Sequence, residues 1–352
     1  MTASGTLLIL NLRIRGVNVS KTLLDIKNLR LSFFTPQGEV KALNDVSVSM
    51  QEGDVLGIVG ESGSGKSVTA SSIMGLVSHP GRIIGGTIEF NGHRIHEMSE
   101  KEMRNIRGKE VSMIFQDPIT SLNPVYTIGN QIREVIYLHT DLNKQQAYER
   151  SVELLKLVGI NEPERRLKQY PHELSGGMRQ RVMIAIALAC EPKLLIADEP
   201  TTALDVTIQA QIIELMMELK RKINMSIIMI THDLGIVASM CNKIVVMYAG
   251  KVVEAGTTDE IFYNPKHEYT KGLLRSIPRI NSEKHEKLVP IDGTPVDMLN
   301  PPEGCPFAPR CEKCMKICLR RMPEFTQITS THKSACWLLQ KEVFEQKRRE
   351  GK

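Results

Sequence analysis

The sequence lacks the features that would place it in a membrane or on a nucleic acid. It has no run of about 18 consecutive apolar residues, the length that a membrane-spanning helix requires. Aromatic residues make up only 5% of the 352 residues, so flat stacking surfaces for single-stranded nucleic acid are scarce. The net charge is only +5, and no long basic run accompanies it. These absences indicate that the chain neither spans a bilayer nor binds nucleic acid.

An export signal is also missing. The apolar run Leu7–Leu10 is shorter than the core of a signal peptide, and no basic region precedes it. We therefore expect residues 1–21 to be an extension without a motif, and the remaining chain to fold in a reducing compartment. Five of the seven cysteines lie between Cys305 and Cys336. In a reducing compartment this grouping favours a metal or cluster site over disulfides.

The clearest positive feature is a glycine-rich loop. Val55–Val59 is typical of a buried strand, and the loop follows it directly. Its glycines let successive backbone N–H groups curl around phosphate oxygens, while Lys66 adds a charge and Ser67 offers a hydroxyl to Mg²⁺. The residues predicted to hold ATP here are Gly60, Ser62, Gly63, Ser64, Gly65, Lys66, Ser67 and Val68.

Two acidic residues follow a second apolar segment, Lys193–Ala197. The carboxyl ends of parallel strands build sites at one edge of a sheet, so Asp198 and Glu199 are predicted to lie beside the phosphate loop. Asp198 suits Mg²⁺ coordination, and Glu199 is placed to orient the attacking water. Because apolar segments alternate with amphipathic stretches, the sequence predicts an α/β fold with a parallel core.

Three more polar features accompany these motifs. Leu174–Arg181 combines a hydroxyl, two glycines and a predicted helix start, which together form a second phosphate-sized site. Since one loop already covers the phosphates, Ser175 and Gly177 are predicted to serve a nucleotide on another subunit. Gln116 and His232 each follow a further apolar segment. The amide of Gln116 can reach Mg²⁺ and the water, and the imidazole of His232 can donate to the γ-phosphate.

Together these motifs resemble the ATP-binding subunits of ABC transporters. The resemblance covers roughly residues 24–256 and implies a P-loop NTPase core with an antiparallel β subdomain and an inserted α-helical subdomain. It assigns catalysis to Glu199, His232 and Gln116, and Mg²⁺ binding to Ser67, Gln116 and Asp198. In chain order, the matching motifs are Walker A at Gly60–Ser67, the Q-loop at Gln116, the signature at Leu174–Gln180, Walker B ending at Asp198, the D-loop at Ala203–Asp205 and the switch histidine at His232.

The same resemblance implies contacts to adenine and to a second subunit. An aromatic residue upstream of Walker A stacks on adenine in this family, and Phe33 aligns best, with Phe34 as the alternative. Both rings also suit ordinary packing in a strand. Two subunits would close head-to-tail around two ATP molecules, each bound also by the partner's Ser175 and Gly177. Asp205 would couple the two sites.

Four shorter segments narrow the resemblance to importers of peptides and nickel. Uptake of dipeptides or oligopeptides is the favoured function, with nickel import and a soluble non-transport ABC ATPase as the alternatives. The expected partners are two transmembrane permeases, a second homologous ATPase in a heterodimer, and an extracytoplasmic peptide-binding protein, with the chain peripheral at the cytoplasmic face of the membrane. The matching segments are Phe115–Pro118, Ser121–Pro124, Asn264–Thr270 and Gly304–Cys311.

Two other nucleotide-binding classes fit poorly. A regulatory GTPase needs a guanine-reading Asn-Lys-x-Asp segment, but Asn242 and Lys243 are followed by two apolar residues. A small-molecule kinase would not need the loop at 174–181. The predicted organisation is an ATPase domain over 22–260, with a helical subdomain at about 117–172, and a cysteine-containing module over 261–352.

The cysteine module is predicted to bind an inorganic group. Cys305, Cys311, Cys318 and Cys336 are irregularly spaced, which suits a [4Fe-4S] cluster better than zinc, whose sites usually contain a close ligand pair. Zinc is the alternative, and free thiols are the third possibility. A helix over 311–318 would place Cys314 on the same face as its neighbours. Whether Cys314 is a ligand is left open by the sequence.

Overall fold

The computed structural model describes residues 21–117, 121–202, 204–276 and 290–340. The predicted extension over 1–21 lies outside them except for Lys21, as do Pro118 and Ala203. The described strands are β1 Thr22–Thr35, β2 Gly38–Gln51, β3 Val55–Val59, β4 Gly81–Phe90, β5 His93–Arg94, β6 Val111–Ile114, β7 Leu194–Asp198, β8 Ser226–Ile230, β9 Lys243–Tyr248, β10 Lys251–Thr257, β11 Thr326–Gln327 and β12 Lys333–Ser334.

The described helices follow the predicted amphipathic stretches. One of them, Val206–Ile223, buries Ile212, Leu215 and Leu219 along one face, as an amphipathic stretch requires. The helices are α1 Lys66–Ile73, α2 Glu100–Ile106, α3 Ile128–His139, α4 Lys144–Leu157, α5 Pro163–Arg166, α6 Gly176–Ala187, α7 Val206–Ile223, α8 Leu234–Met240, α9 Thr258–Tyr263 and α10 Glu268–Arg275; 3₁₀ turns lie at Ile95–Glu97, Pro171–Glu173, Ala308–Arg310 and Lys316–Leu319.

The described strands form two sheets. The larger sheet has the order β11-β12-β10-β9-β3-β8-β7-β6, and its central strands β9, β3, β8, β7 and β6 pair in parallel. The smaller sheet, β2-β1-β4-β5, is antiparallel. The predicted parallel α/β core is confirmed, and β3, β7 and β8 bring the phosphate loop and the two strand-end acids to the same edge.

Alternate residues of the central strands enter two different cores. Leu56 and Ile58 of β3 pack on the side shared with the antiparallel sheet, whereas Val55 and Val59 pack on the side of the helices. Side chains of a strand point to opposite faces in turn, so a strand covered on both faces must be apolar throughout. All five residues of β3 are buried, which explains its unbroken apolar sequence.

Helices α3 to α6 form a layer on one side of the large sheet. Thr127 accepts a hydrogen bond from the Asn130 N–H at the start of α3, and Asn143 forms a capping box with Gln146 at α4. Ile132 and Leu154 are fully buried in the core that α6 shares. Helices α3 to α5 occupy much of the span predicted for the helical subdomain, and α6 lies after it. The boundaries of that subdomain stay a prediction.

The C-terminal residues 290–340 have little regular structure. They contain β11, β12, two 3₁₀ turns and the helical residues 337–340. Strand β12 pairs with β10 through Glu254 opposite Ser334. The hairpin therefore extends the ATPase sheet. The helix considered for 311–318 is not present; a 3₁₀ turn begins only at Lys316.

Candidate nucleotide site

The phosphate loop joins β3 to α1 in a conformation that depends on glycine. Gly60, Gly63 and Gly65 have φ values of +154°, +76° and +98°, which side-chain-bearing residues rarely adopt. A Cβ atom on Gly60 would lie 2.2 Å from the Met247 carbonyl oxygen. Helix α1 begins at Lys66, directly after Gly65. The loop thus presents the N-terminal end of a helix to an anion.

Lys66 lies against the inside of this loop. Its Nζ donates hydrogen bonds to the carbonyl oxygens of Gly60 and Glu61 at 2.8 and 2.9 Å. The residue is 6% exposed, and burial lowers the pKa of the ammonium while the carboxylates of Glu199, Asp198 and Glu61 oppose that shift. The surrounding acids therefore favour the charged form that a phosphate requires.

Ser67 and Asp198 meet across the strand ends. The Ser67 hydroxyl donates to Asp198 Oδ1 at 3.1 Å. Asp198 is buried, which raises the pKa of its carboxyl group, and the hydrogen bond from Ser67 partly offsets this. A hydroxyl and a carboxylate are hard oxygen donors of the kind that Mg²⁺ takes, so this pair fits the predicted metal site.

The structure also brings the three predicted catalytic residues together. Glu199 accepts hydrogen bonds from Gln116 Nε2 at 2.8 Å and from the Thr202 hydroxyl at 3.0 Å, and its other oxygen lies 3.3 Å from His232 Nδ1. The Glu199 backbone has a φ of +48°, an uncommon value for this residue type and one found often at functional sites. The Thr202 contact was not predicted, because a threonine in a loop carries no distinctive sequence signal.

Ser175, Gly177 and Asp205 lie at the starts of two neighbouring helices. Ser175 accepts a hydrogen bond from the Met178 N–H at the start of α6, and Asp205 accepts one from the Ile208 N–H at the start of α7. A Cβ on Gly177 would lie 3.0 Å from Ile208. No hydrogen bond recorded among the described residues joins Ser175 to this chain's own phosphate loop.

The two candidate adenine-stacking rings differ in exposure. Phe33 is partly buried and packs against the core shared by the two sheets, and a Cβ on Gly81 would lie 2.7 Å from its ring. Phe34 is 45% exposed, with the Arg82 guanidinium 5.8 Å from the ring centre. Phe34 is thus the more accessible ring, whereas Phe33 is the residue preferred from the sequence.

The four predicted cluster ligands converge in the C-terminal region. Burial raises the pKa of Cys305 to about 12, with smaller contributions from the nearby Cys318, Cys336 and Cys311 thiols. Cys305 and Cys318 also share a backbone hydrogen bond of 2.7 Å. Within the described ranges, however, no group of three or more His, Cys, Asp or Glu residues has the geometry to hold a metal ion. The geometry of these thiols by itself therefore assigns neither a [4Fe-4S] cluster nor zinc.

Comparisons with known proteins agree with this geometry. Residues 43–202 match the ABC transporter family, and residues 253–318 match the oligopeptide/dipeptide transporter C-terminal region. The chain is 56% identical to an oligopeptide transport ATP-binding protein, OppD, of Bacillus subtilis over 90% of this chain and 89% of that protein. It is 53% identical to the dipeptide transport ATP-binding protein DppD of the same organism, over 90% and 94%. This chain belongs to the ATP-binding subunits of oligopeptide and dipeptide ABC transporters.

Solved structures support the ATPase fold of this ABC subunit. A dimeric ATP-binding cassette in a post-hydrolysis state, bound to ADP and Pi, superimposes with a TM-score of 0.61 at 26% identity, over 67% of this chain and 99% of that one. The predicted family and the predicted ATP-hydrolysing activity are confirmed. In the part of the chain that the structure describes, no helix is long and apolar enough to cross a membrane.

Proposed function

We propose that this ABC subunit hydrolyses ATP to energise the uptake of dipeptides or oligopeptides. Two observations together support the proposal. The predicted ATPase residues meet at one edge of the sheet, where Ser67 contacts Asp198 and Gln116 contacts Glu199. The C-terminal residues 253–318 match the oligopeptide/dipeptide transporter family. Relatives named for oligopeptide and dipeptide transport support the same cargo class. Nickel import is the second candidate, since the sequence segments resemble both importer groups.

The geometry supports a division of labour in hydrolysis. Lys66 and the loop N–H groups bind the phosphates, and Ser67, Asp198 and Gln116 would hold Mg²⁺, which neutralises charge on the transferred phosphoryl group when bound. Glu199 would orient the attacking water. Gln116 and His232 hold its carboxylate from two sides, so both contribute to its orientation.

The complete site requires a second ATPase subunit. Among the described residues, the Ser175 hydroxyl bonds to the Met178 N–H and not to this chain's own phosphate loop. We assign Ser175 and Gly177 to the γ-phosphate bound by a partner, with Asp205 at the interface. The solved relative is dimeric, which supports a two-chain site. We propose a heterodimer with a homologous ATPase, so an isolated subunit should bind ATP but hydrolyse it slowly.

A surface near Gln116 that carries exposed apolar side chains is the proposed permease contact. Phe115 is 46% exposed next to Gln116, and Leu138 of α3 is 71% exposed. Tyr126 and Leu138 line one cavity, and Ser121 lines both that cavity and the neighbouring one that contains Phe115. A short amphipathic segment of each transmembrane permease would pack here, at the cytoplasmic face, and transmit closure through Gln116. The extracytoplasmic peptide-binding protein would act through those permeases.

We further propose that the module over 261–352 carries a [4Fe-4S] cluster, with zinc as the alternative. Cys305, Cys311 and Cys336 each accept a hydrogen bond from the backbone N–H two residues later, and Cys318 accepts one from Met315. Such N–H donors to sulfur are common around iron–sulfur ligands and tune them. Iron and labile sulfide in anaerobically purified protein would support the cluster; colourless protein with stoichiometric zinc would overturn it.

Uptake by cells tests the proposed function. Cells carrying Glu199→Gln at the native locus should lose accumulation of a labelled tripeptide while ⁶³Ni accumulation stays unchanged. The matched control is Glu214→Gln on the exposed side of α7, which should leave both unchanged. Loss of nickel uptake with normal peptide uptake would establish the second candidate instead.

A further inference from the structure

Glu61, the second residue of the phosphate loop, is held by the C-terminal region. Its two carboxylate oxygens accept hydrogen bonds from Arg310 Nη1 and Nη2 at 2.6 and 3.0 Å. The two residues are 249 positions apart in the sequence. Because the guanidinium is rigid and planar, this bidentate pairing fixes the orientation of the Glu61 carboxylate as well as its distance from Arg310.

The Arg310 guanidinium is itself fixed by other contacts. Its Nε donates to the Asp292 carbonyl oxygen at 2.9 Å, and Nη2 also donates to the Ile291 carbonyl oxygen at 3.1 Å. The Tyr248 hydroxyl lies 3.3 Å from Nη1. The side chain is only 4% exposed. Arg310 is therefore a buried, fully engaged cation and not a mobile surface residue.

A second contact holds the backbone of the same loop residue. The Glu61 N–H donates to the Tyr269 hydroxyl at 2.8 Å. Tyr269 is completely buried on α10, and its ring packs against Tyr248 and Phe307 with ring centres 4.6 and 5.3 Å apart. Both the side chain and the backbone of Glu61 are thus set by residues that lie after the ATPase motifs.

The charge at Glu61 gives these contacts a consequence for ATP. A carboxylate in a loop that binds phosphates repels the ligand unless a cation compensates it. We propose that Arg310 and Tyr269 are positioning residues for ATP binding: Arg310 neutralises and directs the Glu61 carboxylate, and Tyr269 fixes the loop backbone. The inference rests on the proposed role of Gly60–Ser67 as the phosphate site.

Steady-state ATP hydrolysis by the purified transporter complex tests this role. Arg310→Gln should raise the KM for ATP about tenfold, the scale of one coupled charge pair, with kcat within about twofold. Arg310→Lys should recover part of the loss, because it restores the charge without the fork. Arg321→Gln is the control: this exposed arginine of the same region contacts Trp337 and should leave the KM unchanged.

A double-mutant cycle of Arg310 and Glu61 distinguishes a positioning role from a general loss of structure. In the Arg310→Gln background, Glu61→Gln should lower the raised KM, because the uncompensated charge is gone. Purely additive effects of the two changes, or an unchanged KM in Arg310→Gln, would overturn the proposal. If Arg310→Gln does not fold, Tyr269→Phe removes one oxygen and keeps the ring; a KM raised about threefold supports the proposal and an unchanged KM overturns it.

Lys66→Ala distinguishes failure of this inference from failure of the site assignment. Equilibrium binding of a fluorescent ATP analogue should be lost in Lys66→Ala if the loop holds the phosphates. Normal binding in that variant would overturn the phosphate site itself. Lost binding there, together with wild-type KM in both Arg310→Gln and Tyr269→Phe, would overturn only the role of Arg310 and Tyr269.

Discussion

The nucleotide edge and the cysteine-containing C-terminal region are positioned in different ways. At the nucleotide edge, β3, β7 and β8 are buried along their full length and carry the functional residues at their ends. In the described residues 290–340, the regular elements are short: two strands of two residues, two 3₁₀ turns and the helical residues 337–340. The first region is set by backbone pairing and apolar packing, whereas the second depends on side-chain contacts and, in our proposal, on ligated thiols.

The contacts between the two regions show that they are not independent. Arg310 and Tyr269 reach Glu61, and Cys305, Cys318 and Phe307 enter the same core as the ATPase helices. A region with little regular secondary structure can thus be held by packing against the ATPase sheet and helices. Substitutions in either region, or at the contacts between them, should therefore have distinguishable effects.

The largest effect is expected at the nucleotide edge. Glu199→Gln should lower kcat at least about a hundredfold, because the group that orients the water loses its charge and basicity. ATP should stay bound and favour the closed dimer, since Lys66, Ser67 and Asp198 are retained. Phosphate release and retained nucleotide are the measurements, and an unaltered hydrolysis rate would show that Glu199 is not the catalytic carboxylate.

The second effect is on metal content and stability, and it distinguishes the proposed ligand cysteines of the C-terminal region from cysteines that do not bind the metal. Cys318→Ser should remove the bound metal and lower the free energy of unfolding by at least about 3 kcal/mol, because metal binding contributes directly to folding. Cys314→Ser should have little effect, since Cys314 is exposed, and Cys190→Ser is the control outside the region. Metal content and urea unfolding measure this; equal metal in Cys318→Ser and wild type would contradict the proposal.

The third effect is a pH dependence of stability, and it arises at His267, which directly precedes α10. Burial lowers the pKa of His267 to about 4, opposed by Glu254 and Glu268, with Lys271 adding to the lowering. Between pH 6.5 and about pH 4, His267 is protonated in the unfolded chain but stays neutral in the folded chain. The free energy of unfolding should therefore fall by about 2 kcal/mol between pH 7 and pH 5 from this group.

A matched variant isolates that contribution. His267 Nδ1 accepts a hydrogen bond from the Tyr269 N–H at 3.1 Å, and asparagine offers a comparable capping oxygen without a titrating ring. In His267→Asn, the difference in urea unfolding between pH 7 and pH 5 should shrink. An undiminished difference would show that other groups cause it.

The smallest effect concerns the adenine. Phe34→Ala should raise the KM for ATP about fivefold, because base–aromatic stacking contributes about 1–3 kcal/mol. Phe33→Ala should lower thermal stability instead, since its ring is packed in the core between the sheets. The reverse pattern would restore Phe33 as the stacking residue.

The sequence was sufficient where a site is built from contiguous or strand-end residues. Glycine spacing and an apolar strand predicted the loop, and the rule that parallel strands end at one edge placed Asp198 near Ser67. The sequence could not reveal the ion pair between Arg310 and Glu61, because a contact across 249 positions leaves no local pattern. Nor could it choose between Phe33 and Phe34, since neighbouring strand residues face opposite sides and only the fold defines which side is open.

The β11–β12 hairpin was missed for a related reason. Strands of two residues carry no measurable alternation of polar and apolar side chains, so their pairing with β10 is visible only in three dimensions.

Proteoliposomes that contain the complete transporter test the central claim most directly. Phosphate release and peptide accumulation should be measured in parallel, with the peptide-bound extracytoplasmic protein present or absent. The loaded binding protein should stimulate both, and Glu199→Gln in this subunit should abolish both. Peptide import that persists in Glu199→Gln, or phosphate release that ignores the loaded binding protein, would contradict it.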